Sequence, residues 1–308
     1  HIDAVRMAFS RHSEGGMHVP EVVHLPGLDG GFHVKSAGFA GPPSYVAVKI
    51  NGNFPGNPSR RGLPTIQGAI VLFDSSDGFP LAVMDSAEIT SARTAAATAV
   101  AAGLLAHPQS EVATIIGCGV QGRIQLEALR IVLPIRQVYT HDADQERAAD
   151  FAAQAGHAMG IAITPVASFS EATRRSDVIV TCTTSTRAFL QPAHVRPGAF
   201  VAAVGADNPD KSELAPDLMR ASRVIVDILD QCARIGDLNH AIAAGVMTRA
   251  DVHAELGDVI RGVKPGRGSA EEVIVFDSTG SAIQDVAVAG RVYERAREQG
   301  IGMKVSLS

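Results

Sequence analysis

Residues Glu111 to Arg130, EVATIIGCGVQGRIQLEALR, constrain the fold more than any other stretch of the chain. A short apolar run, Val112 to Ile116, enters Gly117-Cys118-Gly119-Val120-Gln121-Gly122, and an amphipathic helix follows. The order strand, glycine turn, helix is what gives G-x-G-x-x-G its meaning. In that order Gly117 permits the tight turn, Gly119 lets the backbone approach a pyrophosphate, and Gly122 lets helix pack closely on strand. The free N–H groups at the helix start, around Val120 and Gln121, then face the anion. A second strand, Gln137–His141, ends at Asp142, twenty residues beyond Gly122. A carboxylate there can accept hydrogen bonds from an adenosine ribose. The competing interpretation is a glycine turn in an α/β domain that holds no ligand.

Around this unit, strand-like and helical runs alternate from Val112 to Gly280. Strands are expected at Ala113–Ile116, Gln137–His141, Ile161–Pro165, Val178–Cys182, Phe200–Val204, Arg223–Asp227 and Val273–Phe276. Several are rich in Val, Ile and Ala on both faces, as buried parallel strands are. Helices are expected at Gln121–Val132, Gln145–Gly156 and Ser170–Arg175. The fold class is therefore α/β, a Rossmann doubly wound sheet, with a smaller α+β domain beside it. In that smaller domain a helix, Asp3–Ser13, precedes strand candidates Val19–Leu25, Phe32–Ser36, Tyr45–Ile50, Ile66–Phe73 and Leu81–Met84. Asn57-Pro58 and Asp77-Gly78 read as turns, and short turns between adjacent strands suggest an antiparallel or mixed sheet. A long Ala-rich helix, Ser86–Ala106, follows, with Asp85 and Glu88 spaced as a capping box. His107-Pro108-Gln109 ends it. The final helix, Ala282–Gln299, lies beyond the last Rossmann strand and is expected to return to the first domain. The division is thus residues 1–108 with 282–308 for substrate and dimer contacts, and 109–281 for the dinucleotide.

Composition narrows the function classes. With 308 residues the chain is long enough for about two domains. A net charge of −5 provides no basic footprint for nucleic acid, and without Trp there is little for base stacking. No apolar run approaches a membrane span, and no signal-peptide pattern is present. The chain opens at His1 rather than Met, so a few residues are expected to precede it. Cys118, Cys182 and Cys232 are sparse and form no C-x-x-C, which reads as reduced thiols in a cytoplasmic protein. Cys118 reads as a small space-filling thiol rather than a nucleophile. The eleven histidines show no metal-binding spacing.

A dinucleotide enzyme acting on amino or keto acids needs cations for the substrate carboxylate. Lys49, in the apolar strand YVAVKINGNFPGN, and Arg93, in EITSARTAAATAVAA, are the candidates. Each is open to a substrate role or to ion pairing within the fold. Lys35, in FHVKSAGF, is a weaker third, since its strand reads as a possible edge. Asp207, in AAVGADNPDKSEL, follows a Rossmann strand at the end where ligands bind. It is open to proton transfer or to a turn-forming role.

Taken together, VAVKINGNFPGNP, GLPTIQGAIVLFDSSDGFPLAVMDSAEITSARTAAATA, IIGCGVQGRIQ, AAVGADNPDKSEL, DVHAELGDVIRG and FDSTGSAIQD resemble the ornithine cyclodeaminase/mu-crystallin family, in order and over nearly the whole chain. The resemblance implies an NAD(P)-binding Rossmann domain, a smaller domain that dimerises through its sheet, and an active site in a cleft between them. It implies that Lys49 and Arg93 bind the substrate carboxylate and that Asp207 contacts the substrate amine. Gly117, Gly119, Gln121, Thr94, Thr183 and Val204 fall in its cofactor-contacting segments. Asp142 matches the ribose-binding acid of NAD-using members, while Thr140, His141 and Arg147 keep NADP open. Members that bind ornithine usually carry an Arg soon after the Pro of the early strand. Here HVPEVVHLP has Glu21 and Val22 in that place.

Three functions follow. The first is reduction of an imino acid, cyclic or formed from a keto acid and ammonia, to an L-amino acid, with Lys49 and Arg93 on the carboxylate and Asp207 at the iminium. The second is cyclodeamination of ornithine to proline and ammonia with catalytic NAD. The third is non-catalytic binding of a dinucleotide and a small ligand. The missing early Arg favours the first. A homodimer with a small amino or imino acid substrate is expected, without nucleic acid, membrane or metal.

Overall fold

The structure, a computed structural model, describes residues 1–19 and 22–306. Its elements begin with helix α1 (Ile2–Ser13), strands β1 (Met17–His18), β2 (Val23–Pro26), β3 (Gly31–Phe39) and β4 (Tyr45–Asn53), and helix α2 (Asn57–Arg61). They continue with β5 (Ile66–Asp74), β6 (Pro80–Asp85), α3 (Ser86–Leu105), β7 (Val112–Ile116), α4 (Val120–Val132), β8 (Gln137–His141) and α5 (Gln145–Met159). Then come β9 (Ala162–Pro165), α6 (Phe169–Thr173), β10 (Val178–Thr181), β11 (Phe200–Ala203), α7 (Pro216–Ala221), β12 (Arg223–Val226) and α8 (Leu229–Ile235). The last are α9 (Asp237–Ala243), β13 (Ala254–Glu255), α10 (Leu256–Ile260), β14 (Ile274–Asp277) and α11 (Ala282–Gln299). Two compact units separate: His1, Asp3–Arg93 and Ala282–Ser308 in one, Ile2 and Thr94–Ser281 in the other, so the dividing line falls inside α3.

In the first unit an antiparallel sheet runs β1-β3-β4-β5-β6, with β2 also paired to β3. Helix α11 packs against β3 and β4. Side chains alternate along a strand, so Ala47 and Lys49 of β4 are buried while Ile50 between them and Asn51 is exposed. The cross-strand register puts Val23, Leu25, Phe32, Ile50 and Val83 on one face, and all five are exposed. Asp85 caps α3 by accepting from the backbone N–H groups of Ala87 and Glu88.

In the second unit eight strands run β13-β12-β14-β11-β10-β7-β8-β9, all parallel. From β7 the chain first builds outward to β8 and β9, then returns to β10 on the other side of β7. The strand order therefore reverses between β7 and β10, and ligands of open α/β sheets bind at such a reversal, beyond the carboxyl ends of the strands. Ile179, Val201, Leu214, Leu238 and Val275 lie in the core on one face of this sheet. Among the described residues no helix is long and apolar enough to cross a membrane.

Several expectations need correction. Strand β3 is not an edge strand, because it pairs with β1 and β2 on one side and with β4 on the other, although Lys35 itself falls between the β2 register (Gly31–Val34) and the β1 register (Gly38–Phe39) and is paired with Lys49 of β4. The strand expected at Val19–Leu25 is two strands, Met17–His18 and Val23–Pro26, each paired separately with β3. Pro20 and Glu21 lie outside the described residues, and so does half of the Glu21–Val22 departure from the ornithine binders. Asn57-Pro58 opens helix α2 instead of a turn, since proline is tolerated in the first helical turn. Strand β13 and helices α7 to α10 were not expected; at two to seven residues they are too short to show a period.

Candidate active site

Lys49 and Arg93 meet in the first unit around a residue that sequence reasoning missed, Asp285 of α11. Lys49 Nζ lies 2.6 Å from Asp285 Oδ2 and donates to Thr90 Oγ1 at 3.4 Å. Arg93 Nε lies 3.0 Å from Asp285 Oδ1, and Nη1 donates to Gln284 Oε1 at 3.1 Å. Lys49 and Arg93 are only 3% and 5% exposed. Lys35 stands directly opposite Lys49 in the β3–β4 register. Burial pushes the Lys49 ammonium down to about 7; Asp285 opposes this, and Arg93 and Lys35 add to it. Burial alone would push Asp285 up, yet the Lys49 and Arg93 cations outweigh it and hold the carboxyl below its usual range. One buried carboxylate thus faces the two buried cations Lys49 and Arg93, and the surplus positive charge suits an anionic ligand. The only hint of Asp285 in the sequence was the rule that a buried cation needs an anion.

In the second unit the glycine turn has the geometry its sequence implies. Gly117 adopts φ +107°, where a Cβ would lie 2.6 Å from the Cys182 carbonyl oxygen. A Cβ on Gly122 would lie 2.2 Å from the Gly117 carbonyl oxygen, so α4 touches the turn there. At Gly119, the N-cap of α4, an added Cβ would meet nothing within 4 Å. That open backbone at a helix start is what a pyrophosphate requires. Val120 is exposed beside it and Gln121 half-buried, its Oε1 accepting from Gln125. Asp142 Oδ2 accepts from Cys118 N at 2.8 Å and Oδ1 from Asp144 N at 3.0 Å, with Arg147 Nη1 4.0 Å away. A cavity of about 580 Å³ adjoins, lined by Cys118, Gly119, Val120, Arg123, Asp144 and Arg147. The residues present fit the diphosphate and ribose of a dinucleotide. Burial and Asp142 push the Cys118 thiol up to about 12, which makes it inert.

A larger cavity, about 780 Å³, is lined by Arg223, His253, Lys264 and Val273 at the amino ends of β12 and β14. Ligands of such sheets bind at the opposite ends of the strands, so the chemistry is assigned to the smaller one.

The remaining candidates follow strands of the second unit or lie on α3. Val204 is buried, with its N–H bonded to the Thr181 carbonyl. Thr94, beside Arg93 on α3, is also buried. Asp207 is exposed in the loop after β11, and Lys211 Nζ donates to its Oδ1 at 2.7 Å. Thr183 donates both its N–H and its hydroxyl to Glu213 Oε1, at 2.6 and 2.7 Å. Glu213 is a second residue that sequence reasoning missed.

A sequence model described as the ornithine cyclodeaminase/mu-crystallin family matches residues 1–300. The chain is 39% identical over 305 residues to an alanine dehydrogenase of Archaeoglobus fulgidus, covering 99% of this chain and 92% of the relative. The structure is similar to an archaeal alanine dehydrogenase dimer with bound NAD: TM-score 0.94, 39% identity, coverage 100% of this chain and 94% of that one. It is also similar to the Δ1-pyrroline-2-carboxylate reductase of Thermococcus litoralis in complex with NADH and L-proline. There the TM-score is 0.94 and the identity 33%, with 99% and 94% of the two chains covered.

Proposed function

The chain belongs to the ornithine cyclodeaminase/mu-crystallin family, and we propose that it is an NAD-dependent reductase of imino acids. Its substrate is a cyclic ketimine, or the imine of a small keto acid and ammonia, and its product an L-amino acid. The observation that carries this reading is the cluster of Lys49 and Arg93 on Asp285, where buried cations outnumber the carboxylate. Lys49 and Arg93 take the substrate carboxylate, the Arg93 guanidinium by paired hydrogen bonds. Lys35, across from Lys49, adds to the positive field. Lys49, pushed down to about 7, is poised to hold or release a proton at neutral pH. Asp207 stabilises the iminium or relays its proton, with Lys211 holding the carboxylate in place.

Gly117, Gly119, Val120, Gln121 and Gly122 hold the pyrophosphate and Asp142 the adenosine ribose, with Thr94, Thr183 and Val204 in supporting positions. When bound, the reduced nicotinamide supplies the hydride. The Asp142 carboxylate favours NAD over NADP, because a 2′-phosphate would meet a like charge. A homodimer is supported by the exposed apolar face of Val23, Leu25, Phe32, Ile50 and Val83, and three free thiols support a reducing compartment such as the cytoplasm.

The test is NADH and NADPH absorbance with a panel of cyclic imino acids, and of small 2-keto acids with ammonia. Oxidation with one of them, faster with NADH, is the expected result. Silence across the panel combined with ammonia release from ornithine on catalytic NAD⁺ would overturn reduction in favour of cyclodeamination.

A further inference from the structure

The loops after β10 and β11 are tied together by one carboxylate, Glu213, carried near the end of the second loop. Glu213 is completely buried. Its Oε1 accepts from Thr183 N and Thr183 Oγ1, and its Oε2 accepts from Thr181 Oγ1 at 2.7 Å and Gly205 N at 2.9 Å. Four donors fill both oxygens, which is how a buried carboxylate is held. The Thr183 hydroxyl has no freedom to turn away, because its oxygen already accepts from Ser185 N at 3.1 Å. Gly205 has no room for a side chain, since a Cβ there would lie 2.4 Å from the Glu213 carboxyl. Glu213 is itself fixed from behind: its backbone N–H donates to Asp237 Oδ1 at 2.9 Å. Burial and the Asp237 carboxylate push Glu213 up to about 7, and the Thr181 and Thr183 donors oppose them.

The place of this clasp is the point. The glycine turn after β7 and Asp142 after β8 account for the diphosphate and the adenosine ribose. The rest of a dinucleotide then falls on the other side of the strand-order reversal, over β10 and β11. Thr183 and Gly205 are the second loop residues there, and their donors are already committed to Glu213.

We propose that Glu213 is a positioning residue for the nicotinamide half of the dinucleotide: its carboxylate fastens the loops after β10 and β11 to each other and so fixes the backbone on which that half rests. The proposal rests on the dinucleotide reading above. It also revises the role of Thr183, which contacts the ligand through its carbonyl or methyl group and not through a donor.

The experiment compares binding of NADH and of ADP-ribose, which lacks the nicotinamide, by titration calorimetry. In Glu213→Gln the new amide nitrogen faces two donors, so two of the four hydrogen bonds are lost. The expected result is an NADH affinity weakened by about tenfold or more with ADP-ribose affinity unchanged. Thr181→Val removes a single donor from a strand end and is expected to weaken NADH by a few fold, again sparing ADP-ribose; it decides the matter should Glu213→Gln not fold. Equal weakening of both ligands, or of neither, would overturn the proposal while leaving the dinucleotide reading intact. Failure of the unaltered protein to bind either ligand would remove that reading, and this proposal with it.

Discussion

Replacing Asp285 by Asn keeps the shape of the side chain and deletes the charge that Lys49 and Arg93 share. Both cations are nearly inaccessible to water, so neither can recover its lost partner by solvation. Breaking a buried pair by removing one member costs about 3–5 kcal/mol. In a domain of this size each kcal/mol lowers the melting temperature by about 2–4 °C, so Asp285→Asn is expected to melt about 6–20 °C lower. Lys49→Met removes one of the two orphaned cations. The double variant should therefore recover part of the loss, with a coupling of about 0.5–3 kcal/mol between the two sites. Thermal and urea unfolding of the two single variants, the double variant and the parent complete the cycle. An Asp285→Asn protein melting within 2 °C of the parent (an order-of-magnitude threshold against the loss just estimated), or a double variant no better than Asp285→Asn, would refute the reasoning that this carboxylate neutralises the cations.

Further outcomes are expected. Arg93→Ala should raise KM or abolish turnover while leaving NADH affinity unchanged; equal loss of both would indicate a folding defect. Asp142→Ala should weaken NADH more than NADPH, measured by fluorescence titration, and an unaltered NADH affinity would remove the ribose role. Gly122→Ala should destabilise the protein by about 1–3 kcal/mol because its methyl meets the Gly117 carbonyl; Gly119→Ala, with open space around the methyl, should fold normally and lose dinucleotide affinity. Lys49 has a lowered folded value of about 7 against 10.5 unfolded, so its buried ammonium costs the fold fully below pH 7 and progressively less up to 10.5. The stability of the parent relative to Lys49→Met should accordingly rise between pH 7 and 10.5, and a flat difference in urea midpoints would show that Lys49 does not titrate in that range.

What was legible in the sequence was what is local. The glycine turn and Asp142 belong to one strand-turn-helix-strand unit, and backbone sterics alone assign their places. Lys49 stood out because a lysine inside an apolar strand is costly wherever the strand goes. Asp285 could not be found that way. It sits on an amphipathic helix whose pattern tolerates a charge, and only packing brings it to Lys49. Strand β3 reads as a possible edge for a similar reason: which strands flank it is decided by pairings with residues on both sides of it in the chain. Glu213 was hidden in a Ser-Glu-Leu run that reads as a loop before a helix, since the four donors that reveal its role come from the end of β10, the loop that follows it and the start of the loop after β11. Helices α7 to α10 were lost because five to seven residues hold less than two turns.

Synthesis imposes an order that the finished fold does not reveal. Arg93 leaves the ribosome 191 residues ahead of Gln284, the neighbour of Asp285. At 5–20 residues per second that interval lasts about 10–40 s. During it the contiguous run Thr94–Ser281 already contains every strand of its own sheet, while the first unit still lacks the helix that brings its anion. Lys49 and Arg93 must stay hydrated until that helix emerges. The half of the protein made first is therefore completed last.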